Sequence, residues 1–225
     1  MNIIVCAIFM QPCFKLGGFV VQCRGMMKNL TDKTCVKAYF DACAARWDAG
    51  MIRDETVIAR IFDNAGVRAG TRVLDVACGT GVLIPDYLSR SVASVTGIDL
   101  SGAMIKIARA KFSDPRVRFF CADAEEADFS EPFDCCVVYN AFPHFSSPQK
   151  LIAALTRCLK PGGMLTVAHG ASRAVINSRH QNKAPEVSAE LMSGDALAAL
   201  FAPWFEVTVQ ISDERMYQVV GRKRT

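Results

Sequence analysis

The segment Arg72-Val-Leu-Asp-Val-Ala-Cys-Gly-Thr-Gly81 determines the fold predicted for this chain. It begins with a short apolar run after Gly70, which predicts a buried strand. It ends in Gly79 and Gly81, which allow the backbone to turn sharply and to approach a ligand closely. A dinucleotide-binding fingerprint would need a third glycine where Ile84 stands, and a P-loop would need Gly-Lys-Ser/Thr. A pyrophosphate is therefore not the expected ligand of this turn.

Strands and helices alternate on both sides of this turn. Beyond the first strand, strands are predicted over residues 94–98, 116–121, 133–139, 164–168, 205–211 and 216–221. Helices are predicted over residues 34–47, 53–65, 82–90, 101–112, 148–159 and 194–201. Such alternation is typical of βαβ units. We therefore predict an α/β fold with a Rossmann-like, doubly wound, mostly parallel sheet of seven strands that includes a C-terminal antiparallel hairpin.

Length and composition place the chain among globular proteins. Its 225 residues are 51% hydrophobic and 21% charged, which excludes a disordered protein and fits one domain. The longest apolar run, Ile3 to Met10, is shorter than the ~20 residues that cross a bilayer. The net charge of +4 comes without the dense basic footprint of a duplex-binding surface. We expect a monomer or homodimer that binds a small molecule and neither nucleic acid nor membrane.

The ten cysteines do not form the pattern of a disulfide framework. Cys78, Cys121, Cys135 and Cys136 fall in or beside predicted buried strands, where a thiol packs as a small apolar group. No C-x-x-C pair occurs, which argues against a zinc ribbon. We therefore expect a reducing, cytoplasmic location.

The chain divides into an arm and one domain. Residues 1–28 are apolar and are interpreted as an N-terminal arm that need not belong to the fold. Residues 29–225 are interpreted as the single domain. Within it, residues 171–193 are polar and follow neither the helical nor the strand pattern of apolar residues. They are predicted to form a cap or substrate loop over the site.

Two carboxylates follow the next two predicted strands. Asp99 lies close to the ~20 positions beyond the glycine turn at which an acidic residue meets a ribose hydroxyl in nucleoside-binding folds. Asp123 is placed to accept a hydrogen bond from an exocyclic amine such as that of adenine. Each carboxylate alone has a simpler interpretation as a helix-start or capping residue near Ser101 or Ala124. Three successive strand ends with a glycine turn or a carboxylate favour a nucleoside site.

These segments together resemble the class I S-adenosylmethionine-dependent methyltransferases. The matching stretches are Val73-Leu-Asp-Val-Ala-Cys-Gly-Thr-Gly81, Gly97-Ile-Asp-Leu-Ser101, Cys121-Ala-Asp-Ala124, Phe133-Asp-Cys-Cys-Val-Val-Tyr-Asn140 and Leu159-Lys-Pro-Gly-Gly163. The resemblance covers roughly Thr34 to Gly221. It implies S-adenosyl-L-methionine as the cofactor, and it says little about the methyl acceptor.

The resemblance also implies which residues hold the cofactor. The set is Asp75, Ala77, Gly79, Gly81, Asp99, Leu100, Met104, Asp123, Ala124 and Asn140. By this resemblance Asp75 would hold the ammonium end, Asp99 the ribose hydroxyls and Asp123 the adenine amine. Gly79 and Gly81 would pass beneath the amino acid moiety.

By the same resemblance Leu100 and Ala124 would sandwich the adenine ring, and Asn140 would line the methionine arm. Tyr39 is placed to close over the sulfonium, with a core position as the alternative. Tyr39, Trp47 and His169 are assigned to the substrate side.

The segment after the fourth strand reads Asn140-Ala-Phe-Pro-His144. Methyltransferases that act on amide or adenine nitrogens often carry Asn-Pro-Pro-Tyr/Phe there, so a DNA-adenine or protein-glutamine acceptor is disfavoured. A metalloid acceptor would need a set of thiolates, for which the candidate residues are Cys35, Cys78, Cys121 and Cys158.

The three histidines of the chain all fall late in the sequence. His144 and His169 follow strands and His180 lies in the predicted cap. We assign His144 as the catalytic base, with activity rising through a group near pH ~6–7, because neutral imidazole accepts protons in that range. No metal is expected. A site formed by His144, His169 and His180 and a purely structural role for these histidines are the alternatives.

The sequence therefore predicts an enzyme that moves a methyl group from S-adenosylmethionine to a small molecule. A thiol, hydroxyl, amine or metalloid acceptor all remain open. The alternatives are an RNA or protein methyltransferase and a non-catalytic protein that binds the cofactor.

Overall fold

The glycine-turn strand lies inside a sheet of seven strands. The computed structural model describes residues 32–49 and 51–225, so the predicted arm over residues 1–28 lies outside the described residues. The strands are β1 (Arg72–Val76), β2 (Ser94–Asp99), β3 (Val117–Cys121), β4 (Phe133–Tyr139), β5 (Leu159–His169), β6 (Phe205–Ser212) and β7 (Tyr217–Lys223). Their order in the sheet is β3-β2-β1-β4-β5-β7-β6.

The first five strands are parallel, and β7 is antiparallel to both β5 and β6. The predicted seven-stranded fold with its terminal hairpin is thus confirmed. The order reverses direction at β1 and β4, and in sheets of this kind ligands bind beyond the carboxyl ends of the strands near that reversal.

Helices cover both faces of the sheet. They are α1 (Lys33–Cys43), α2 (Glu55–Asn64), α3 (Ile84–Ser89), α4 (Gly102–Lys111), α5 (Pro148–Cys158), α6 (Arg173–Lys183) and α7 (Gly194–Phe201). Most begin at a capping side chain. Asp32, Asp54 and Ser101, for example, each accept a hydrogen bond from a backbone N–H of the first turn, which offsets donors that the helix leaves unpaired. No helix in the described part of the chain is long and apolar enough to cross a membrane.

Two apolar clusters form the core, one on each face of the sheet. Leu74 and Val76 of β1 point to one face, where they pack with residues of α5 and α7. Val73 points to the other face, among residues of α2 and α3. Because side chains alternate along a strand, Asp75 shares the face of Val73, and its carboxyl group is drawn into the buried layer.

One strand is longer than predicted. The sequence Lys160-Pro-Gly-Gly163 was expected to separate a helix from a strand over 164–168, but β5 already begins at Leu159. The pairing of β4 with β5 shifts register between Phe133 and Cys135, and Gly162 adopts a left-handed φ of 75°. This register shift leaves residues of the Lys160–Gly163 segment unpaired with β4 while the strand continues.

Candidate active site

A cavity of about 390 Å³ lies at the carboxyl edge of the sheet, within the size range of small-molecule sites. Residues of α1 and α6 contribute to its wall. It brings together most of the residues that the sequence assigned to the site. The lining includes Asp75, Ala77, Gly79, Asp99, Leu100, Met104, Asp123, Ala124, Asn140, Tyr39, Trp47, His144 and His180.

The glycine turn is held in an unusual backbone conformation. Ala77 and Gly79 have left-handed φ values of 54° and 56°, and Ala77 is a residue type that rarely adopts such an angle. The Asp99 carboxylate accepts hydrogen bonds from the Gly79 N–H at 2.9 Å and from the Ser101 N–H at 2.8 Å. The carboxylate after β2 therefore fixes the turn after β1 and still lines the cavity.

Asp75 is a buried acid without a cation. Its Oδ2 atom makes no hydrogen bond with any described residue, although the residue lines the cavity. Burial raises the pKa of Asp75 to about 8, against a smaller lowering by the Tyr87 hydroxyl. An unpaired buried carboxyl group is costly unless a ligand compensates it. A positively charged ligand group such as an ammonium fits this position.

Both carboxylate oxygens of Asp123 have partners within the protein. Its Oδ1 atom caps the following turn by accepting the Glu125 N–H at 2.9 Å, and its Oδ2 atom is 2.6 Å from the Lys33 ammonium. The same ammonium lies 2.8 Å from the Glu125 carboxylate. Asp123 therefore makes the capping hydrogen bond that was the simpler interpretation of this residue, and its side chain also lines the cavity. Contact with a nucleobase amine stays a prediction.

The segment that holds α1 is tied to the edge of the sheet at two further points. Asp41 accepts hydrogen bonds from the Ser101 hydroxyl at 2.6 Å and from the Ala103 N–H at 3.1 Å. Asp48 accepts a hydrogen bond from the Thr80 hydroxyl and pairs with Lys111 at 2.8 Å. These contacts hold Tyr39, Phe40 and Trp47 in the wall of the cavity.

Two residues that the sequence assigned to the site do not line the cavity. Gly81 turns away from it, and a Cβ atom there would lie 2.6 Å from the ring of Phe112, so this glycine serves packing within the turn. His169 is 1% exposed and its ring lies beside Tyr217. Strand alternation directs the His169 side chain into the buried face of the sheet, and the residue is not part of the cavity lining.

His144 is held in one tautomer. Its Nδ1 atom lies 2.8 Å from the carbonyl oxygen of Val187, and because a carbonyl only accepts, Nδ1 carries the proton. The Nε2 atom is then the basic nitrogen. Burial lowers the pKa of His144 to about 4, in spite of the bond to Val187. The expected titration near pH 6–7 is therefore wrong for this environment.

The three-histidine alternative has no geometric support. His144 and His180 have ring centroids 5.0 Å apart, but His169 lies off the cavity. Within the described residues, no group of three or more His, Cys, Asp or Glu is arranged to hold a metal ion.

The thiols fit a metalloid site no better. Burial raises the pKa of Cys78 well above its usual value and that of Cys158 to about 11, so neither is a thiolate near neutral pH. Cys121 is exposed on β3 and is not part of the cavity lining.

Aromatic rings line the second half of the cavity. The centroid of Phe40 lies 4.9 Å from that of His144, 5.5 Å from that of Trp47 and 5.2 Å from that of Tyr39. Phe40 was not assigned to the site from sequence, although its helical spacing from Val36 places both on one face of α1. The apolar residues Met51 and Ile176 also line the cavity, and no sequence motif indicated that they would.

Comparison with known proteins agrees with the fold and the glycine turn. The methyltransferase-domain family model matches residues 73–163. Malonyl-acyl-carrier-protein O-methyltransferase of Acetivibrio thermocellus is 30% identical over 139 residues, which are 60% of this chain and 49% of that protein. Ubiquinone/menaquinone biosynthesis C-methyltransferase UbiE of Idiomarina loihiensis is 32% identical over 162 residues, which are 67% of this chain and 62% of that protein.

The chain thus spans about half to three fifths of the length of these curated relatives. Among solved structures, the 4+2 cyclase SpnF superimposes with a TM-score of 0.70 at 18% identity, covering 88% of this chain and 98% of that one. That likeness shows the fold alone. Fold and cavity define an α/β domain with a small-molecule cavity at the carboxyl edge of its sheet. The matched domain and the methyltransferase relatives support an assignment to the class I S-adenosylmethionine-dependent methyltransferases, and this family implies S-adenosylmethionine as the cofactor.

Proposed function

We propose that this chain transfers a methyl group from S-adenosylmethionine to a small-molecule acceptor. The observation that carries the proposal is that one cavity joins two halves of different chemistry. One half holds the glycine turn with Asp75 and Asp99, and the other holds aromatic side chains with His144. A cofactor and an acceptor in these halves would lie side by side.

The residues of the first half suit this cofactor. The unpaired Asp75 carboxyl group is available to an ammonium, and each Asp99 oxygen keeps a lone pair for a ribose hydroxyl beside its bond to a backbone N–H. The left-handed Gly79 leaves no side chain between the turn and a ligand. When bound, S-adenosylmethionine supplies a methyl group that its sulfonium already activates.

The task left to the protein is alignment and removal of a proton. Holding two reactants in line can contribute up to ~7–11 kcal/mol toward the barrier. The neutral imidazole of His144 presents Nε2 as an acceptor for a proton that a hydroxyl, phenol or thiol would release. A pKa of about 4 keeps the base unprotonated near neutral pH and also makes it a weak base.

The relatives support a small acceptor without fixing its reacting atom. One is named for O-methylation of a malonyl group on a carrier protein, the other for C-methylation in quinone biosynthesis. The cavity of this chain is lined by apolar rings, and such a lining suits a small apolar molecule better than a protein or RNA segment.

The direct test uses the full chain with S-adenosylmethionine labelled in its methyl group. We expect label to move to at least one member of a panel of phenols, thiols, amines and hydroxy acids, with one S-adenosylhomocysteine formed per methyl transferred. Transfer only to RNA or to protein would favour the macromolecular alternative. Tight binding of the cofactor without transfer to any acceptor would favour the non-catalytic alternative.

A further inference from the structure

The cavity is lined by three cationic side chains, and two of them are neutralised. Lys33 pairs with the carboxylates of Asp123 and Glu125. Lys37 pairs with Asp41 at 2.6 Å. The third is Arg179 of α6, which forms no ion pair and no hydrogen bond with any residue that the structure describes. The aromatic half of the cavity therefore has one unpaired cationic side chain in its wall, and this side chain is exposed to solvent.

Arg179 neighbours the aromatic half of the cavity in sequence and lines the same cavity. Rings run through the aromatic half from Trp47, which lies close to Gly79, through Phe40 and His144 to His180. Arg179 precedes His180 in sequence, and the His180 ring is the last of this row counted from the glycine turn. Burial lowers the pKa of His180, and the charge of Arg179 lowers it further, as expected for a guanidinium near that ring.

The carboxylates near the site offer Arg179 no partner. Asp54 is engaged by Arg215 at 2.8 Å, and Asp99 accepts two backbone hydrogen bonds. Asp75 is fully buried and belongs to the cofactor half of the cavity. Arg179 is exposed and pairs with no carboxylate of the cavity lining, so its guanidinium is open to an anionic group of a ligand.

We propose that Arg179 anchors a carboxylate on the methyl acceptor, whose remaining body is apolar and carries a ring. This inference rests on the proposed function and narrows its substrate class. The planar guanidinium binds a carboxylate through two parallel hydrogen bonds, which fixes orientation as well as position. The ring of such a molecule would pack along Phe40, His144 and His180, and the fixed end would hold the reacting atom toward the cofactor half.

The test compares two probes of equal shape, 2-naphthoate and 2-naphthamide, by calorimetric titration of the full chain saturated with S-adenosylhomocysteine. We expect the carboxylate to bind at least tenfold more tightly than the amide. Arg179→Gln should remove this preference and leave the amide affinity unchanged, and Arg179→Lys should restore part of it. The matched control is Arg118→Gln on strand β3, an exposed arginine outside the cavity lining, which should behave as wild type.

Equal affinity for the two probes in the wild type, a preference that survives in Arg179→Gln, or no binding of either probe would overturn the inference. So would a tenfold loss of S-adenosylhomocysteine affinity in Arg179→Gln, since this would assign the arginine to the carboxylate of the cofactor. The proposed function fails separately, if the wild type does not bind S-adenosylhomocysteine at all.

Discussion

The Nδ1 atom of His144 donates its proton to the carbonyl oxygen of Val187 across 2.8 Å, and this bond joins the turn after β4 to the segment that follows α6. Val187 in turn packs with Val36 of α1 and with Ala184, so this segment and α1 meet beside the histidine. The contact orients the imidazole and leaves Nε2 as its basic nitrogen. Burial of the ring is also what lowers its pKa and keeps it neutral.

His144→Ala should therefore lower turnover by ~10²–10⁴ on an acceptor that must lose a proton, which is the usual contribution of a general base. Affinity for S-adenosylhomocysteine should stay within about twofold of wild type, because the residue belongs to the acceptor half. Steady-state rates and calorimetric titration measure the two quantities. Full turnover in the variant would leave His144 a structural residue.

The pH dependence of turnover should follow the lowered pKa of His144. Only the neutral ring accepts a proton, so activity should be nearly constant from about pH 6 to 8 and fall as the pH drops through the pKa of about 4. The profile of kcat for the wild type, recorded with stability checked at each pH, measures this. An increase in rate centred between pH 6 and 7 would contradict the environment described for this residue.

Gly81 offers a stability test that is independent of activity. Its φ is 85° and a Cβ atom would approach the Phe112 ring at 2.6 Å, whereas Gly70 has a φ of 80° with nothing near its Cβ position. Gly70→Ala should cost about 1–2 kcal/mol for backbone strain. Gly81→Ala should cost about 1–3 kcal/mol more, for overpacking. Urea unfolding measures both free energies, and equal losses would show that Phe112 moves away freely.

His169 should make the fold sensitive to acid. It is fully buried, neither ring nitrogen has a hydrogen-bond partner among the described residues, and burial lowers its pKa to about 3. Between that value and the unfolded pKa of about 6.5, the unfolded chain binds more protons, so stability should be lost as the pH falls through this window.

His169→Phe keeps a ring beside Tyr217 and removes the titrating group. The free energy of unfolding should then decline less between pH 7.5 and 5 than in the wild type. Other titrating groups, Asp75 among them, are common to both proteins and largely cancel in the comparison. The same decline in both proteins would show that His169 does not titrate as its burial requires.

The sheet and the cofactor half could be predicted because both are encoded locally. Strand periodicity and the glycine turn predict parallel strands, and the carboxyl ends of parallel strands meet at one edge, which brings Asp75, Asp99 and Asp123 together. Gly81 lay within the same motif, but the motif could not show that the space beside it is filled by Phe112, which follows α4.

The acceptor half could not be predicted in the same way. The environment of His144 depends on Val187, and the place of Arg179 depends on how a polar cap segment folds back over the sheet. Neither segment has a strong apolar period, so the sequence predicted a cap without predicting which of its side chains reach the cavity. The pKa of His144 differed from expectation for this reason.

The central claim is that the cavity at the carboxyl edge binds the methyl donor through Asp99 and the glycine turn. Calorimetric titration of the full chain with S-adenosylhomocysteine tests it most directly. Asp99→Ala is the variant, and Asp114→Ala, which is outside the cavity lining, is the control. We predict clear binding by the wild type and the control. Asp99→Ala should bind about tenfold or more weakly, since a charge-assisted hydrogen bond contributes ~1.5–3 kcal/mol. Folded wild-type protein that gives no heat with S-adenosylhomocysteine or S-adenosylmethionine would contradict the claim.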